Sequence, residues 1–338
     1  MPGYNIEFIE KDEYAYSVAL VRARESRLVD TQTYISLTNA SGDRFVQLLS
    51  EVTGIRFDSD ESPQSMVLKL EENFTETFFL IKSLIQEDAY KRLISLKYDY
   101  ELLKKLVKNP ESGSGYYDLE VSKRSNYSLP ILKVLLENEK QMDTGPHLYM
   151  AYYYIKTNPD LTGGEIDTIC DISYFKEVFE ILAEYPNEFL IEYYRSLVDI
   201  SNILTVLRAK AREIKRSEMR RLIIPFGTLS LDHLEHGYDL SVDALGSRLV
   251  FWRFSSILKQ VDKSKEVLEQ IGELEKLFEE ALVEYLRESI FVVFGIEPVF
   301  RYLWLNELQL KNLRVIVLLK SAGVEPGEIR KYLRGVYG

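Results

Sequence analysis

The stretch "LVDISNILTVLRA" (residues 197–209) places apolar residues at helical spacing around two polar side chains set three residues apart. Similar patterns surround "KYDYELLKKLVKN" (97–109) and "ELQLKNLRVIVLL" (307–319). Apolar residues that recur every three or four positions indicate an amphipathic helix. One chain that contains this pattern three times, about 100 residues apart, indicates an internal repeat.

A polar column aligns the three copies. It contains five residues: Asp99, Asp199, Asn202, Gln309 and Asn312. Asp99, Asp199 and Gln309 share one position, and the two asparagines stand three residues later, where the first copy has Leu102. Apolar positions before and after the column form two helical faces that are out of phase. Either the helix breaks at the column or a continuous helix is buried on two sides.

A helix break is the simpler interpretation of these two faces. Asp199 would then be the N-cap of a new helix, with Asn202 in the position of a capping-box partner. In either case the apolar positions after the column predict equivalent core residues. Six side chains are expected to be nearly inaccessible: Leu103, Ile203, Leu313, Leu106, Val206 and Ile316.

Helical periodicity extends over nearly the whole chain, which predicts an all-α protein. A second internal similarity relates 28–49 to 223–246, so each repeat is expected to contain a short helix hairpin followed by longer helices. Gly, Pro and Ser make 109–115 the best linker candidate. We therefore expect three related helical subdomains with these boundaries: 1–110, 111–214 and 215–338.

Composition restricts the possible functions. The 338 residues have a net charge of −11, which repels phosphate backbones and argues against nucleic-acid binding. The longest apolar runs fall well short of the roughly 20 residues that span a bilayer. The first residues lack a secretory signal, and a lone Cys170 fits a reducing compartment. These features predict a cytoplasmic protein without a membrane-spanning segment.

No catalytic, cofactor or metal signature is complete. There is no phosphate-binding loop of the Gly-x-x-x-x-Gly-Lys-Ser/Thr type, so direct nucleotide binding is not expected. Asp232, His233 and His236 lack the His-Glu-x-x-His pattern of a zinc site, and 58–63 lacks the Gly and Glu of a calcium loop. Asp167 and Asp171, one helical turn apart, form an isolated acidic pair. We therefore predict that the protein is not an enzyme and binds no cofactor.

Three segments resemble a known family in this order along the chain. They are "EYAYSVALVRARESRLVDTQTY", the Asp-x-x-Asn helix of "LVDISNILTVLRA", and "FGIEPVFRYLWLNELQLKNLRVI". Together they resemble the C subunit of the prokaryotic V/A-type ATPases (A-type ATP synthases), a family that includes the d subunit of eukaryotic vacuolar ATPases. The resemblance implies three similar all-α subdomains arranged as a pseudo-threefold funnel around a central cavity. Leu102 departs from the family's Asn in the first copy.

The resemblance also implies a mechanical function. Proteins of this family belong to the central stalk, where the funnel receives the D and F subunits of the shaft and rests on the cytoplasmic face of the membrane proteolipid ring. The protein would then be a peripheral rotor component that couples the shaft to proton or sodium transport. Four cations that follow the apolar stripe are candidates for partner contact, or alternatively solvated surface residues: Lys104, Lys105, Arg208 and Arg314.

A generic all-α scaffold that binds helical or peptide partners is the alternative. Tetratricopeptide arrays of this kind repeat about every 34 residues. The repeat here is close to 100 residues, which favours the rotor interpretation.

Overall fold

The computed structural model describes residues 8, 11–108, 116–137 and 145–335. Within these ranges the regular structure consists of α-helices and short 3₁₀ turns, without a strand, so the predicted all-α class is confirmed. The predicted linker at 109–115 lies outside the described residues.

The helices follow the order short, short, short, long, long in each third of the chain, and one further short helix follows in the last third. The first group comprises α1 (Ala15–Glu25), α2 (Thr31–Asn39), α3 (Gly42–Thr53), α4 (Pro63–Leu84) and α5 (Asp88–Lys108). The second comprises α6 (Tyr116–Arg124), α7 (Leu129–Glu137), α8 (Pro146–Thr157), α9 (Gly163–Glu184) and α10 (Glu188–Ala211). The third comprises α11 (Arg216–Met219), α12 (Leu231–Gly237), α13 (Val242–Arg248), α14 (Val267–Arg287), α15 (Glu297–Ser321) and α16 (Pro326–Tyr332).

Capping residues fix the starts of the long helices. At α4 the Ser62 side chain accepts a hydrogen bond from the Ser65 amide, and a proline occupies the first turn. At α9 Thr162 and Glu165 form a reciprocal capping box. Such caps satisfy amide groups that have no partner within the helix. The helix starts are therefore encoded locally.

The helices form two compact units that do not follow the order of the chain. The first unit takes its described residues from Met1–Phe8, Arg92–Gly113 and Ser125–Ala281. The second takes them from Ile9–Lys91, Ser114–Arg124 and Leu282–Gly338. In the first unit α9 packs on α8 and α10, and α10 also contacts α12. In the second unit α15 packs on α1, α4 and α16.

The core of the second unit joins the two ends of the sequence. Its apolar cluster combines residues of α2 and α3, such as Leu37 and Leu49, with residues of α15 and α16, such as Ile316 and Ile329. All four of these side chains are fully buried. The hairpin of the first repeat is therefore covered by the recurring helix of the third.

The predicted helix break at the polar column is wrong. Helices α5, α10 and α15 run through the column without interruption, and Asp199 lies in the middle of α10. The N-cap of α10 is Asn187, whose side chain accepts from the Leu190 amide. The structure shows the alternative, a continuous helix that is buried on two sides. Asp199 does not cap this helix, since its carboxylate accepts a hydrogen bond from another segment of the chain.

Five of the six predicted core positions are buried. Leu103, Ile203, Leu313, Val206 and Ile316 are each at most 2 % exposed. Leu106 is half-buried and lines a cavity of about 430 Å³ together with Val107. The prediction was wrong for Leu106, since the end of α5 is covered less completely than the ends of α10 and α15.

Candidate functional site

Asp199 and Asn202, the column residues of the second repeat, bind the two ends of the loop that precedes α12. Asn202 pairs reciprocally with the backbone of Ile224: its Nδ2 donates to the carbonyl at 2.8 Å, and its Oδ1 accepts from the amide at 2.8 Å. Asp199 accepts from the Leu229 amide at 3.0 Å and from the Thr228 hydroxyl. Both side chains are essentially inaccessible to solvent. The column therefore joins α10 to the segment that leads into α12.

The held loop contains two unusual backbone features. A Cβ atom built on Gly227 would lie 2.1 Å from Oδ1 of Asp199, so only glycine fits against the carboxylate. Phe226 has a φ of 85°, in the left-handed region that favours glycine. Its ring stacks on Phe179 with centroids 5.5 Å apart. The contacts to α10 and α9 keep this loop in a conformation that is unfavourable on its own.

The third repeat contains the same backbone clamp. Asn312 Nδ2 donates to the Arg334 carbonyl at 2.9 Å, and its Oδ1 accepts from the Arg334 amide at 2.9 Å. Asn202 and Asn312 each hold a residue 22 positions later. Gln309, at the position of Asp199, accepts from the Val29 amide at 2.8 Å. The third copy thus holds a segment of the first repeat.

The first repeat keeps only half of this arrangement. Asp99 accepts from the Asn126 amide at 2.7 Å, from Asn126 Nδ2 at 2.6 Å and from the Ser125 hydroxyl. Burial raises the pKa of Asp99 to about 6, against the opposing effect of these hydrogen bonds. Burial also raises the pKa of Asp199. Leu102 replaces the asparagine of the other copies and is buried as an apolar residue.

The three contacts of the column follow a cyclic order. The first recurring helix holds the segment before α7, the second holds the segment before α12, and the third holds the segment before α2. Each column residue therefore accepts a backbone amide that lies just ahead of the short helix hairpin of the next repeat. The last repeat returns to the first.

Two of the predicted partner-contact cations form ion pairs within the first unit. Lys104 contacts Asp171 of α9 at 2.6 Å, and Arg208 contacts Glu275 of α14 at 2.5 Å. Lys105 is half-buried on α5. Burial raises the pKa of Asp171 while the ammonium group of Lys104 opposes the increase. The pairs follow the same order as the column contacts, from one recurring helix to the long helix of the next repeat.

Arg314 belongs to a more buried ion pair in the second unit. It contacts Glu71 of α4 at 2.8 Å, and the second oxygen of Glu71 contacts Arg124 of α6 at 2.9 Å. Glu71 and Arg124 are almost inaccessible. Removing one partner of a buried pair leaves an uncompensated charge, so this triad is part of the packing of α4, α6 and α15.

Two lysines that repeat with the column were not predicted from the sequence. Lys210 and Lys320 each stand 11 residues after the column position and donate to a backbone carbonyl, of Leu240 and Thr38 respectively. Both carbonyls lie near the end of the first helix in a short hairpin. The equal spacing was visible in the sequence, but nothing local indicated that a backbone group would be the acceptor.

The remaining candidates have local roles. His233 Nδ1 contacts the Ser230 hydroxyl in the capping box of α12, and His236 Nδ1 contacts the Asp232 carbonyl. Asp167 pairs with Lys108 at 2.6 Å. Across the described part of the chain, no group of three or more His, Cys, Asp or Glu residues is placed to hold a metal ion.

Several helices are long, among them α4 and α15. Within the described ranges, however, none combines such length with the apolar character needed to cross a bilayer.

Comparison with known proteins gives one consistent result. Residues 17–332 match the family described as ATP synthase (C/AC39) subunit. The chain is 26% identical to the C subunit of the A-type ATP synthase of Thermococcus onnurineus, over 94% of this chain and 89% of the relative. It is 22% identical to the C subunit of the V-type sodium ATPase of Enterococcus hirae, over 96% of this chain and 99% of the relative.

Proposed function

This chain belongs to the ATP synthase (C/AC39) subunit family, and we propose that it is the non-catalytic central-stalk rotor component of a prokaryotic V/A-type ATPase. It would join a shaft made of the D and F subunits to the membrane proteolipid ring, on the cytoplasmic face, and so couple rotation to proton or sodium transport. The family match from 17 to 332 carries the proposal, because it covers nearly the whole chain.

The cyclic order of contacts supports a socket of three subdomains, 1–110, 111–214 and 215–338, around a central cavity. A rotor component that transmits torque must resist deformation between its parts. Hydrogen bonds that Asp99, Asp199 and Gln309 accept from the backbone of the next repeat would supply such resistance, together with close helix packing. Each of these hydrogen bonds joins a side chain of one repeat to the backbone of the next, so it restricts both the sliding and the separation of the two repeats.

The four cations Lys104, Lys105, Arg208 and Arg314 remain proposed contacts with the shaft. Their ion pairs determine how this proposal can be tested. Reversing Lys104 alone would leave Asp171 without its cation, and reversing Arg314 would leave the buried Glu71 with one partner fewer. A loss of binding could then result from damaged packing.

An exchange of both partners avoids this problem. Lys104→Glu combined with Asp171→Lys keeps an ion pair but reverses the charge that α5 presents. We expect this double variant to bind the isolated D and F pair about tenfold more weakly, and with a smaller dependence on salt. Lys331→Glu with Glu328→Lys is the matched control, because it exchanges an exposed pair on α16.

Titration calorimetry at two salt concentrations measures both effects, and thermal unfolding checks the fold. Equal affinity of the exchanged variant and the wild type would remove Lys104 from the shaft contact. Failure of the wild-type protein to bind the D and F pair at all would overturn the rotor assignment.

A further inference from the structure

The contact between the third and first repeats encloses an open space within the second unit. This space, the seam cavity, measures about 620 Å³ and lies between residues 24–30, the end of α3, α4 and α15. Gln309 of the polar column forms part of its wall. The volume falls in the range of about 300 to 1,000 Å³ that is typical of ligand sites.

Large side chains occupy the corresponding space at the contact between the first and second repeats. Thr77 and Leu310 line the seam cavity, and their equivalents there are Glu177 and Tyr100. The Tyr100 hydroxyl donates to Glu177 at 2.8 Å, and Arg92 contacts the other oxygen at 2.9 Å. In the first unit, a hydrogen-bonded cluster therefore fills the space that corresponds to the open seam cavity of the second unit.

The third repeat has a buried indole, Trp252. Trp252 packs against Phe278 of α14 with ring centroids 5.8 Å apart. The other two contacts contain cavities of about 430 and 300 Å³ further along their helices. At the position of Thr77 and Leu310, however, the contact of the first repeat is filled and that of the third is open, and this difference has to be explained.

Two guanidinium groups of the seam cavity lack an ion-pair partner among the described residues. Arg24 lies in the last turn of α1, and Arg27 lies in the turn that follows the helix. Both act electrostatically on the hydroxyl of Tyr302 in the cavity wall, where burial is the main cause of a raised pKa. On a chain with a net charge of −11, a pair of available arginines beside a cavity is an anion-binding feature.

The acidic residues of the cavity limit the charge of such an anion. Asp30 accepts from the Thr33 amide and Glu51 accepts from Gln47, so neither neutralises an arginine directly. Their two charges nevertheless balance those of Arg24 and Arg27 across the cavity as a whole. A phosphate or polyanion would be repelled by them, whereas a single carboxylate can pair with the arginines.

We propose that the seam cavity binds a polypeptide segment of a partner through one carboxylate group, held by Arg24 and Arg27. The amide of Asn73 and the hydroxyl of Thr77 line the same cavity and suit the backbone of an extended peptide. The carboxylate can come from an acidic side chain or from a C-terminus. The proposal rests on the geometry of the second unit and does not require the rotor function.

Nuclear magnetic resonance of the ¹⁵N-labelled full chain tests this directly. The probes are acetyl-Ser-Asp-Ser-amide, acetyl-Ser-Ser-Ser with a free carboxylate, and acetyl-Ser-Asn-Ser-amide as the neutral control. We expect saturable shifts of the Nε–Hε signals of Arg24 and Arg27 with at least one acidic peptide. The peptide that causes these shifts identifies whether the carboxylate comes from a side chain or from a C-terminus. Equal shifts with the neutral peptide, or none with either acidic peptide, would overturn the proposal.

Two variants separate recognition from folding. Arg24→Gln with Arg27→Gln is expected to weaken binding at least about tenfold, as loss of charge-assisted hydrogen bonds requires. Arg56→Gln, which changes an exposed arginine of the same unit, should leave the affinity unchanged. Thr77→Glu with Leu310→Tyr reproduces the filled contact of the first repeat and should abolish binding while the protein remains folded. Retention of binding by either double variant would contradict the assignment.

Discussion

Replacing Asn202 by alanine should destabilise the protein strongly, because this side chain satisfies two backbone groups at once. Asn202 and Ile224 are both buried, and the two hydrogen bonds between them are each 2.8 Å long. Alanine would leave the amide and the carbonyl of Ile224 without partners. Each buried unsatisfied group costs about 1 to 3 kcal/mol, so the expected loss is about 2 to 6 kcal/mol.

The equivalent change in the third repeat provides an internal comparison. Asn312 makes the same pair of bonds to Arg334, at 2.9 Å each, but Arg334 is only half-buried. Water can form part of the hydrogen bonding to Arg334 that Asn312→Ala removes. The loss should therefore be smaller than for Asn202→Ala, although the two sites share one geometry.

Urea unfolding and hydrogen exchange measure the global and local effects of Asn202→Ala. We expect a lower unfolding midpoint and faster exchange of the Ile224 amide. Glu76→Ala, at an exposed position of α4, is the control and should change the free energy of unfolding by less than about 0.5 kcal/mol. A loss below about 1 kcal/mol, with unchanged protection of the Ile224 amide, would show that Asn202 does not hold the loop.

Three further predictions concern burial. Leu313→Ala should cost about 2 to 5 kcal/mol in urea unfolding, and Leu106→Ala clearly less, because only Leu313 is fully buried; equal costs would contradict this. Burial raises the pKa of Asp99 from 3.8 to about 6, so stability should fall as pH rises from about 4 to 6, and Asp99→Asn should flatten that slope. Burial raises the pKa of the Cys170 thiol to about 12, so a disulfide reagent should react rapidly only in denaturant; fast reaction of the native protein would disprove its shielding.

The helical class and most of the repeated core followed from local patterns. Apolar spacing predicted the recurring helices, and their burial at Ile203 and Ile316 is complete. This success has a physical basis, since a helix that packs on one side must place apolar residues at three- and four-residue intervals. The exception is Leu106, where the same pattern faces a cavity. Periodicity identifies the face of a helix but not how well its neighbour covers it.

The function of the polar column could not be predicted from local preferences. Asp and Asn are common N-caps, which made a helix break at Asp199 the simpler interpretation. The structure instead uses the side chain to bind a loop about 30 residues away, at Leu229. The clue was Gly227, because a glycine beside a buried carboxylate indicates close approach, but the sequence alone does not show which side chain approaches it.

The spacing of the ion pairs explains why the third contact is built differently. Lys104 and Arg208 each pair with an acid 67 residues later, whereas Arg314 pairs with one 243 residues away. Closing the longer loop costs about 1 kcal/mol more in chain entropy. The second unit offsets this cost with additional links between its two chain segments, among them the fully buried Arg301, which donates to Glu25. Because Arg301 and Arg314 already join the third repeat to the first, the stability of this contact does not depend on filling the seam cavity.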